Sequence, residues 1–114
     1  MNLANRPPLG LKSPKAKPDR AYLARVRELP CIICQEYGMR QTSPTAAHHP
    51  IMGRYGNRKV PDCMAIPLCE GHHQGLFDTT KVAVHREPER WQRLYGKDVD
   101  FVAPTQDKLG FSND

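Results

Sequence analysis

The sequence predicts a small α+β domain, and three observations carry this prediction. Short apolar runs of strand character alternate with stretches of helical apolar spacing along the middle of the chain. The 114 residues include 11 prolines and eight glycines, and the mean hydropathy is -0.66, so a large apolar core is not expected. Four cysteines and five histidines lie in the same middle region. A short, loop-rich chain of this kind typically depends on disulfide bonds or a metal ion for its stability.

Residues 1–18 are predicted to form a disordered basic arm. They contain four prolines and no periodic apolar pattern. Residues 1–30 hold seven Lys or Arg against two acidic residues, whereas the rest of the chain holds ten of each, so the net charge of +5 lies in the first quarter. Such an arm is suited to contact with nucleic acid, and a solvated tail kept soluble by its charge is an equal alternative.

The first predicted helix follows the arm. Asp19 is a suitable N-cap for the stretch RAYLARVREL, and Pro30 ends the helix. One face of this helix carries the apolar side chains Tyr22, Leu23, Val26 and Leu29.

The middle of the chain predicts two short strands. A turn at Gly38 leads into the first strand, within TSPTAAHHPI, which Pro50 ends. After a glycine-containing loop, Met64 to Leu68 predicts the second strand, and a helix opens near Cys69.

The last third of the chain predicts a further strand, a helix and a tail. The run KVAVH predicts a strand that ends in His85. The stretch EPERWQRLYG predicts a helix with Pro88 in its first turn and Gly96 as its C-cap. Its side chains Trp91, Leu94 and Tyr95 lie on one side. Residues 97–114 are expected to be extended.

The cysteine spacing indicates a metal site. The chain begins without the apolar segment of a secretory signal, and no run approaches the length of a membrane span, so an intracellular, reducing location is expected. Cys31-x-x-Cys34 and Cys69-x-x-His72 are two pairs whose spacing lets two turns offer four ligands to one tetrahedral zinc. Buried apolar cysteines or a redox-active pair are the alternatives. Cys63 lies outside both pairs and is expected to be a small core residue.

The histidines outside the zinc pairs indicate a second metal site. Successive side chains of a strand point to opposite faces, so His48 and His49 should diverge. His72 and His73 lie about 100° apart around a helix. One histidine of each pair could therefore share a second metal ion while the other has a separate role. The alternative for each residue alone is a partly exposed polar side chain.

The combination of these motifs resembles the HNH endonucleases, which have the ββα-metal fold. The resemblance covers residues 31 to about 96 and includes PLC-x-x-HHQG, KVPD and VAVH followed by W and YG. Within the family, the chain is similar to phage-encoded HNH proteins that include recombination-enhancement nucleases. The resemblance implies an HNH domain over residues 19–96, cross-linked by a structural zinc, between the arm (1–18) and the tail (97–114).

The resemblance also implies roles for individual residues. His48 would bind the catalytic metal ion and His49 would be the general base. His73 would bind the same ion, and His85 would be a third ligand or a phosphate contact, with a solvent-facing side chain as the alternative. The region that carries the central Asn of the HNH motif has Asp62 in this sequence, and Asp62 would be its substitute.

The expected function is metal-dependent hydrolysis of DNA phosphodiester bonds with little sequence preference, in the cytoplasm of a bacterial host and linked to recombination. The catalytic ion would be Mg, Mn or Zn. Arg54, Arg58 and Lys59 would neutralise flanking phosphates, with a solvated turn as the alternative, and a recombinase filament is a candidate partner. Two alternatives are a non-catalytic zinc module that binds nucleic acid, and a recombination adaptor that uses an exposed Trp91 helix.

Overall fold

The computed structural model describes residues 18–52 and 60–110 of the chain. The helices and strands in this part are α1 (Arg20–Arg27), α2 (Ile32–Glu36), β1 (Thr45–His48), β2 (Ile66–Cys69), α3 (Glu70–His73), α4 (Pro88–Tyr95) and α5 (Val102–Leu109). Two 3₁₀ turns lie between them, at Asp62–Met64 and Asp98–Phe101. Within these described ranges, no helix has both the length and the apolar character that crossing a membrane requires. The predicted α+β class is confirmed.

Helix α1 begins where the sequence predicts and ends at Arg27, two residues before the end of the predicted stretch. The Asp19 carboxylate accepts a hydrogen bond from the backbone N–H of Tyr22 at 3.0 Å, which satisfies one of the free donors of the first turn. Tyr22 and Val26 are buried, while Leu23 and Leu29 pack against them and stay partly exposed. The apolar face of α1 therefore covers one side of the molecule.

The two strands form an antiparallel pair at the centre of the domain. Thr45 lies opposite Cys69, and His48 lies opposite Ile66. Every residue of β2 is buried, because α1, α2 and α5 pack around it. The second strand begins two residues later than predicted, since Met64 belongs to the 3₁₀ turn.

Helix α2 was not predicted, although the glycine turn after it was. The Cys31 side chain accepts a hydrogen bond from the backbone N–H of Cys34, so this cysteine caps the helix. Ile32 and Ile33 are buried in the main core. Gly38 has a φ of +65°, a conformation that glycine adopts without steric cost, and the turn there is confirmed.

Trp91 lies at the centre of the main core and is fully buried. Its ring packs edge-to-face against Tyr95, at 5.2 Å between centroids, and against Phe101 at 6.2 Å. Leu94 on the same helix is about half exposed. The expectation that Trp91 presents an exposed surface to a partner is therefore wrong, because α4 turns this side chain inward.

The segment KVAVH is not a strand. Residues 82–84 are buried, as expected for an apolar run, but their backbone does not pair with β1 or β2. Instead Val84 N–H donates to the His72 carbonyl at 2.8 Å, and His85 N–H donates to the His73 carbonyl at 3.0 Å. The apolar composition predicted burial correctly and the type of element incorrectly.

The C-terminal segment is helical from Asp98 to Leu109, through a 3₁₀ turn and α5, and is not extended. Two of the four buried side chains of α5 are polar, Thr105 and Gln106, so the apolar helical pattern is weak. Pro104 lies in the first turn, where its missing N–H costs no helical hydrogen bond. Because α5 packs against α1 and β2, it belongs to the same packed unit as these two elements. Residues 111–114 lie outside the described part.

Candidate metal centres

The two cysteine-containing pairs converge on one buried point. Cys31 and Cys34 come from the start of α2, Cys69 ends β2, and His72 lies on α3. The His72 Nδ1 atom is 3.5 Å from Cys31 Sγ, 3.6 Å from Cys34 Sγ and 3.4 Å from Cys69 Sγ. The Sγ atoms of Cys34 and Cys69 are 3.9 Å apart. The predicted grouping of these four residues, here named the sulfur-rich cluster, is confirmed.

These distances fit a tetrahedral zinc ion. Donors at about 2.3 Å (sulfur) and about 2.0 Å (nitrogen) from zinc would lie about 3.8 Å apart for two sulfurs and about 3.5 Å apart for sulfur and nitrogen. The observed separations agree with both values. All four residues are buried, so this cluster is compatible with a closed, structural site.

The three thiols of this cluster have different pKa values, because their hydrogen bonds and burial favour the thiolate form at one cysteine and the thiol form at the other two. The hydrogen bond with Cys31 lowers the pKa of the Cys69 thiol to about 3 against the opposing effect of burial, and His72 lowers it further. Burial, and then the charge of Cys69, raises the pKa of Cys34 to about 11. The hydrogen bond with Cys69, followed by burial, raises the pKa of Cys31. A divalent cation between the sulfurs would stabilise all three as thiolates.

Three histidines form a second cluster. The ring centroids of His48 and His73 are 5.0 Å apart, those of His48 and His85 are 5.1 Å apart, and those of His73 and His85 are 4.8 Å apart. One ligand nitrogen of each ring lies within 4.8 Å of the other two, so this group could hold a metal ion. His48 is fully buried, whereas His85 is exposed. The cluster therefore reaches the surface on the His85 side.

His73 is held as a neutral imidazole. Burial, and then the neighbouring His48, His85 and His49, lowers its pKa to about 4. A histidine must be unprotonated to bind a metal ion, so His73 is ready to act as a ligand at neutral pH. His72 belongs to the first cluster and His73 to the second, as their angular separation on α3 requires.

His85 reaches the second cluster because the chain folds back after α3. Gly75 has a φ of +84°, which starts the return. The backbone hydrogen bonds from Val84 to His72 and from His85 to His73 then set the two segments side by side. His85 thus lies next to His73 without being part of a regular element.

The His48 ring is fixed by a buried carboxylate that the sequence did not reveal. The Nε2 atom of His48 is 2.8 Å from Asp98 Oδ2, and both side chains are fully buried. Asp98 also accepts hydrogen bonds from the backbone N–H groups of Ile51, at 2.8 Å, and Met52, at 3.0 Å. Burial tends to raise the pKa of Asp98, but the hydrogen bonds from His48 and Ile51 outweigh it and lower the pKa below its usual value. Asp98 is therefore a carboxylate.

His49 points away from His48 and towards solvent. Its side chain is 39% exposed, and its Nε2 atom lies 2.8 Å from Asp62 Oδ1. The other Asp62 oxygen, Oδ2, accepts a hydrogen bond from the Asp19 backbone N–H at 2.8 Å, which fixes the carboxylate. The two neighbouring histidines therefore have different surroundings, as the strand geometry predicts.

A family model described as "Protein of unknown function (DUF968)" matches residues 4–110, which is most of the sequence. The chain belongs to the DUF968 family. No curated protein and no solved structure matches this DUF968 chain at a significant level. Its function is therefore inferred from its own residues.

Several residues of the DUF968 chain for which the sequence predicts a role lie outside the two metal-binding clusters or outside the described residues. Arg54, Arg58 and Lys59, expected to contact DNA, lie outside the described residues, as does the arm up to residue 17. Cys63 is partly buried beside Tyr22 and is not part of the sulfur-rich cluster, as expected. Asp98 was missed. It is a charged residue 50 positions from its histidine partner, in a polar stretch, and no spacing in the sequence connects the two.

Proposed function

We propose that this DUF968 protein is a metal-dependent endonuclease that hydrolyses DNA phosphodiester bonds, like the HNH enzymes it resembles. One observation supports the proposal most: two adjacent histidines, the last residue of β1 and the one after it, have different surroundings. His48 lies buried in a three-histidine cluster, and His49 lies at the surface against a carboxylate. A metal-dependent hydrolase needs one imidazole to hold the ion and another to accept a proton.

His49 is the proposed general base. Its Nε2–H donates to Asp62, so Nδ1 is the nitrogen left to take a proton from an attacking water molecule. Asp62 fixes the orientation of the ring and stabilises the imidazolium that forms. Asp62 is itself held by the Asp19 backbone, which ties the start of α1 to the site. This carboxylate takes the place that the HNH pattern gives to Asn.

The second cluster provides the proposed site for the catalytic ion. The donor set is three imidazoles, with His73 kept neutral and His85 open to solvent. This set suits a divalent ion such as Mg, Mn or Zn, with imidazole favouring the transition metals. When bound, such an ion stabilises the negative charge that develops on the scissile phosphate and on the leaving oxygen. The sulfur-rich cluster is proposed as a separate, structural zinc site.

The proposed substrate is DNA held mainly through its phosphates. Arg54, Arg58 and Lys59 follow β1 in the chain, and the basic arm precedes α1. Contacts of this kind position a duplex or a displaced strand without reading its sequence. A recombinase filament is proposed as the partner that would present such a strand.

A plasmid-cleavage assay tests the proposal. Wild-type protein incubated with supercoiled plasmid and Mn²⁺ or Mg²⁺ is expected to give nicked or linear product. His49→Ala is expected to give none, because the change removes the proposed general base. Gln92→Ala, an exposed change on α4, is the matched control and should cleave like wild type. Equal product from wild type and His49→Ala would refute the proposal, and DNA binding without cleavage would favour the zinc-binding module instead.

A further inference from the structure

The buried pair formed by His48 and Asp98 has a geometry that determines which nitrogen of His48 carries its proton. Asp98 Oδ2 lies 2.8 Å from His48 Nε2 and also accepts the backbone N–H of Ile51, while Oδ1 accepts the backbone N–H of Met52. A carboxylate accepts hydrogen bonds and donates none, so Nε2 must be the protonated nitrogen of His48. In the neutral imidazole, Nδ1 then carries the lone pair.

The Nδ1 atom of His48 is buried and has no hydrogen-bond partner among the described residues. Leaving a buried polar atom without a partner costs about 1 to 3 kcal/mol. The same ring lies edge-to-face against His73 and His85, at 5.0 and 5.1 Å between centroids. The free lone pair and the two neighbouring imidazoles together indicate a ligand position.

We propose that Asp98 is a positioning residue: it holds His48 in the tautomer whose Nδ1 atom is free to bind a metal ion. Carboxylates that accept the second N–H of a metal-binding histidine fix both the ring orientation and the tautomer. Asp98 reaches the site from the 3₁₀ turn before α5, and through Ile51 and Met52 it also fixes the chain directly after β1. The C-terminal segment is thereby required for the three-histidine site.

This inference rests on the metal site of the proposed function but not on DNA cleavage. The variant Asp98→Asn, which places an amide beside His48, has an expected effect on the tautomer of that ring. If the NH₂ group of Asn faces His48, the ring must accept through Nε2 and carry its proton on Nδ1, where the ion would bind. If the oxygen of Asn faces His48, the NH₂ group meets the backbone N–H of Met52, and two donors are opposed. The first arrangement also sets the NH₂ group against the backbone N–H of Ile51, so it loses both the ligand tautomer and a hydrogen bond. The second keeps the ligand tautomer only at the cost of the opposed donors at Met52, so Asp98→Asn weakens the ligand arrangement of His48 in both cases.

Two measurements test the proposal. Long-range ¹H–¹⁵N NMR spectra of wild-type protein at neutral pH are expected to show His48 protonated at Nε2 and unprotonated at Nδ1, and a proton on Nδ1 would overturn the proposal. In an electron paramagnetic resonance titration with Mn²⁺, Asp98→Asn is expected to bind the ion about 10- to 100-fold more weakly than wild type. Asp100→Asn, an exposed change in the same 3₁₀ turn, should bind it as wild type does.

A double variant separates positioning from a general structural effect. In the His48→Ala background, Asp98→Asn should cause no further loss of Mn²⁺ affinity, because Asp98 acts through His48. Losses that add would overturn the proposal. If wild type fails to cleave DNA while these results hold, the nuclease function is wrong and the role of Asp98 stands. If wild type cleaves DNA and Asp98→Asn binds Mn²⁺ like wild type, the role of Asp98 is wrong and the nuclease stands.

Discussion

Exchanging Cys69 for serine removes one ligand of the sulfur-rich cluster while hardly changing the volume of the side chain. Structural zinc contributes about 10 to 16 kcal/mol in zinc-finger peptides, or about 3 kcal/mol for each of four ligands. The whole stability of a domain is about 5 to 15 kcal/mol, so the loss of one ligand is a large fraction of it. The cluster lies in the main core beside Ile32, Leu68 and Trp91, where a free sulfur or imidazole has no access to water.

We therefore expect Cys69→Ser to lower the free energy of unfolding by about 3 kcal/mol. For a domain of this size that corresponds to a fall in melting temperature of roughly 12 to 24 °C. The assay is thermal unfolding followed by circular dichroism at a fixed zinc concentration, with the metal content of each sample measured. Cys63→Ser is the matched control, since Cys63 is partly buried outside the cluster, and its effect should stay within about 1 kcal/mol. Equal shifts in the two variants would contradict a metal-ligand role for Cys69.

Three further predictions concern the fold. Trp91→Ala should lower the free energy of unfolding, measured in urea, by about 3 to 5 kcal/mol, because the ring is fully buried. Leu94→Ala, a half-exposed position on the same helix, should lower it by less than about 1 kcal/mol. Similar values for the two variants would contradict the packing of α4. Asp19→Ala should cost about 1 kcal/mol by removing the N-cap of α1, and an unchanged urea midpoint would argue against that cap. Gly75→Ala should cost about 1 to 3 kcal/mol because φ is +84° there, and the exposed change Gln74→Ala should cost much less.

The elements whose local signals are strong could be predicted from the sequence. Helix α1 has an N-cap, an apolar face and a terminating proline, and each signal acts within a few residues. Helix α2 is five residues long and its cap is a cysteine, so no common capping pattern marks it. Helix α5 buries Thr105 and Gln106, and this burial depends on tertiary partners such as the Cys63 carbonyl, which accepts a hydrogen bond from Gln106 at 2.7 Å.

The sulfur-rich cluster was predictable because its chemistry lies in residue type and spacing. A Cys-x-x-Cys pair and a Cys-x-x-His pair each form within one turn, so only their meeting depends on the fold. Asp98 could not be predicted in this way. Its role follows from the docking of the C-terminal segment against β1, and a single aspartate carries no local mark of that contact.

Anomalous diffraction from crystals grown with Mn²⁺ tests most directly whether this protein has a second, reactive metal site. We expect a manganese peak among His48, His73 and His85, within bonding distance of His48 Nδ1. We expect a separate zinc peak among Cys31, Cys34, Cys69 and His72. A map that shows the zinc peak and no manganese among the three histidines would contradict this expectation.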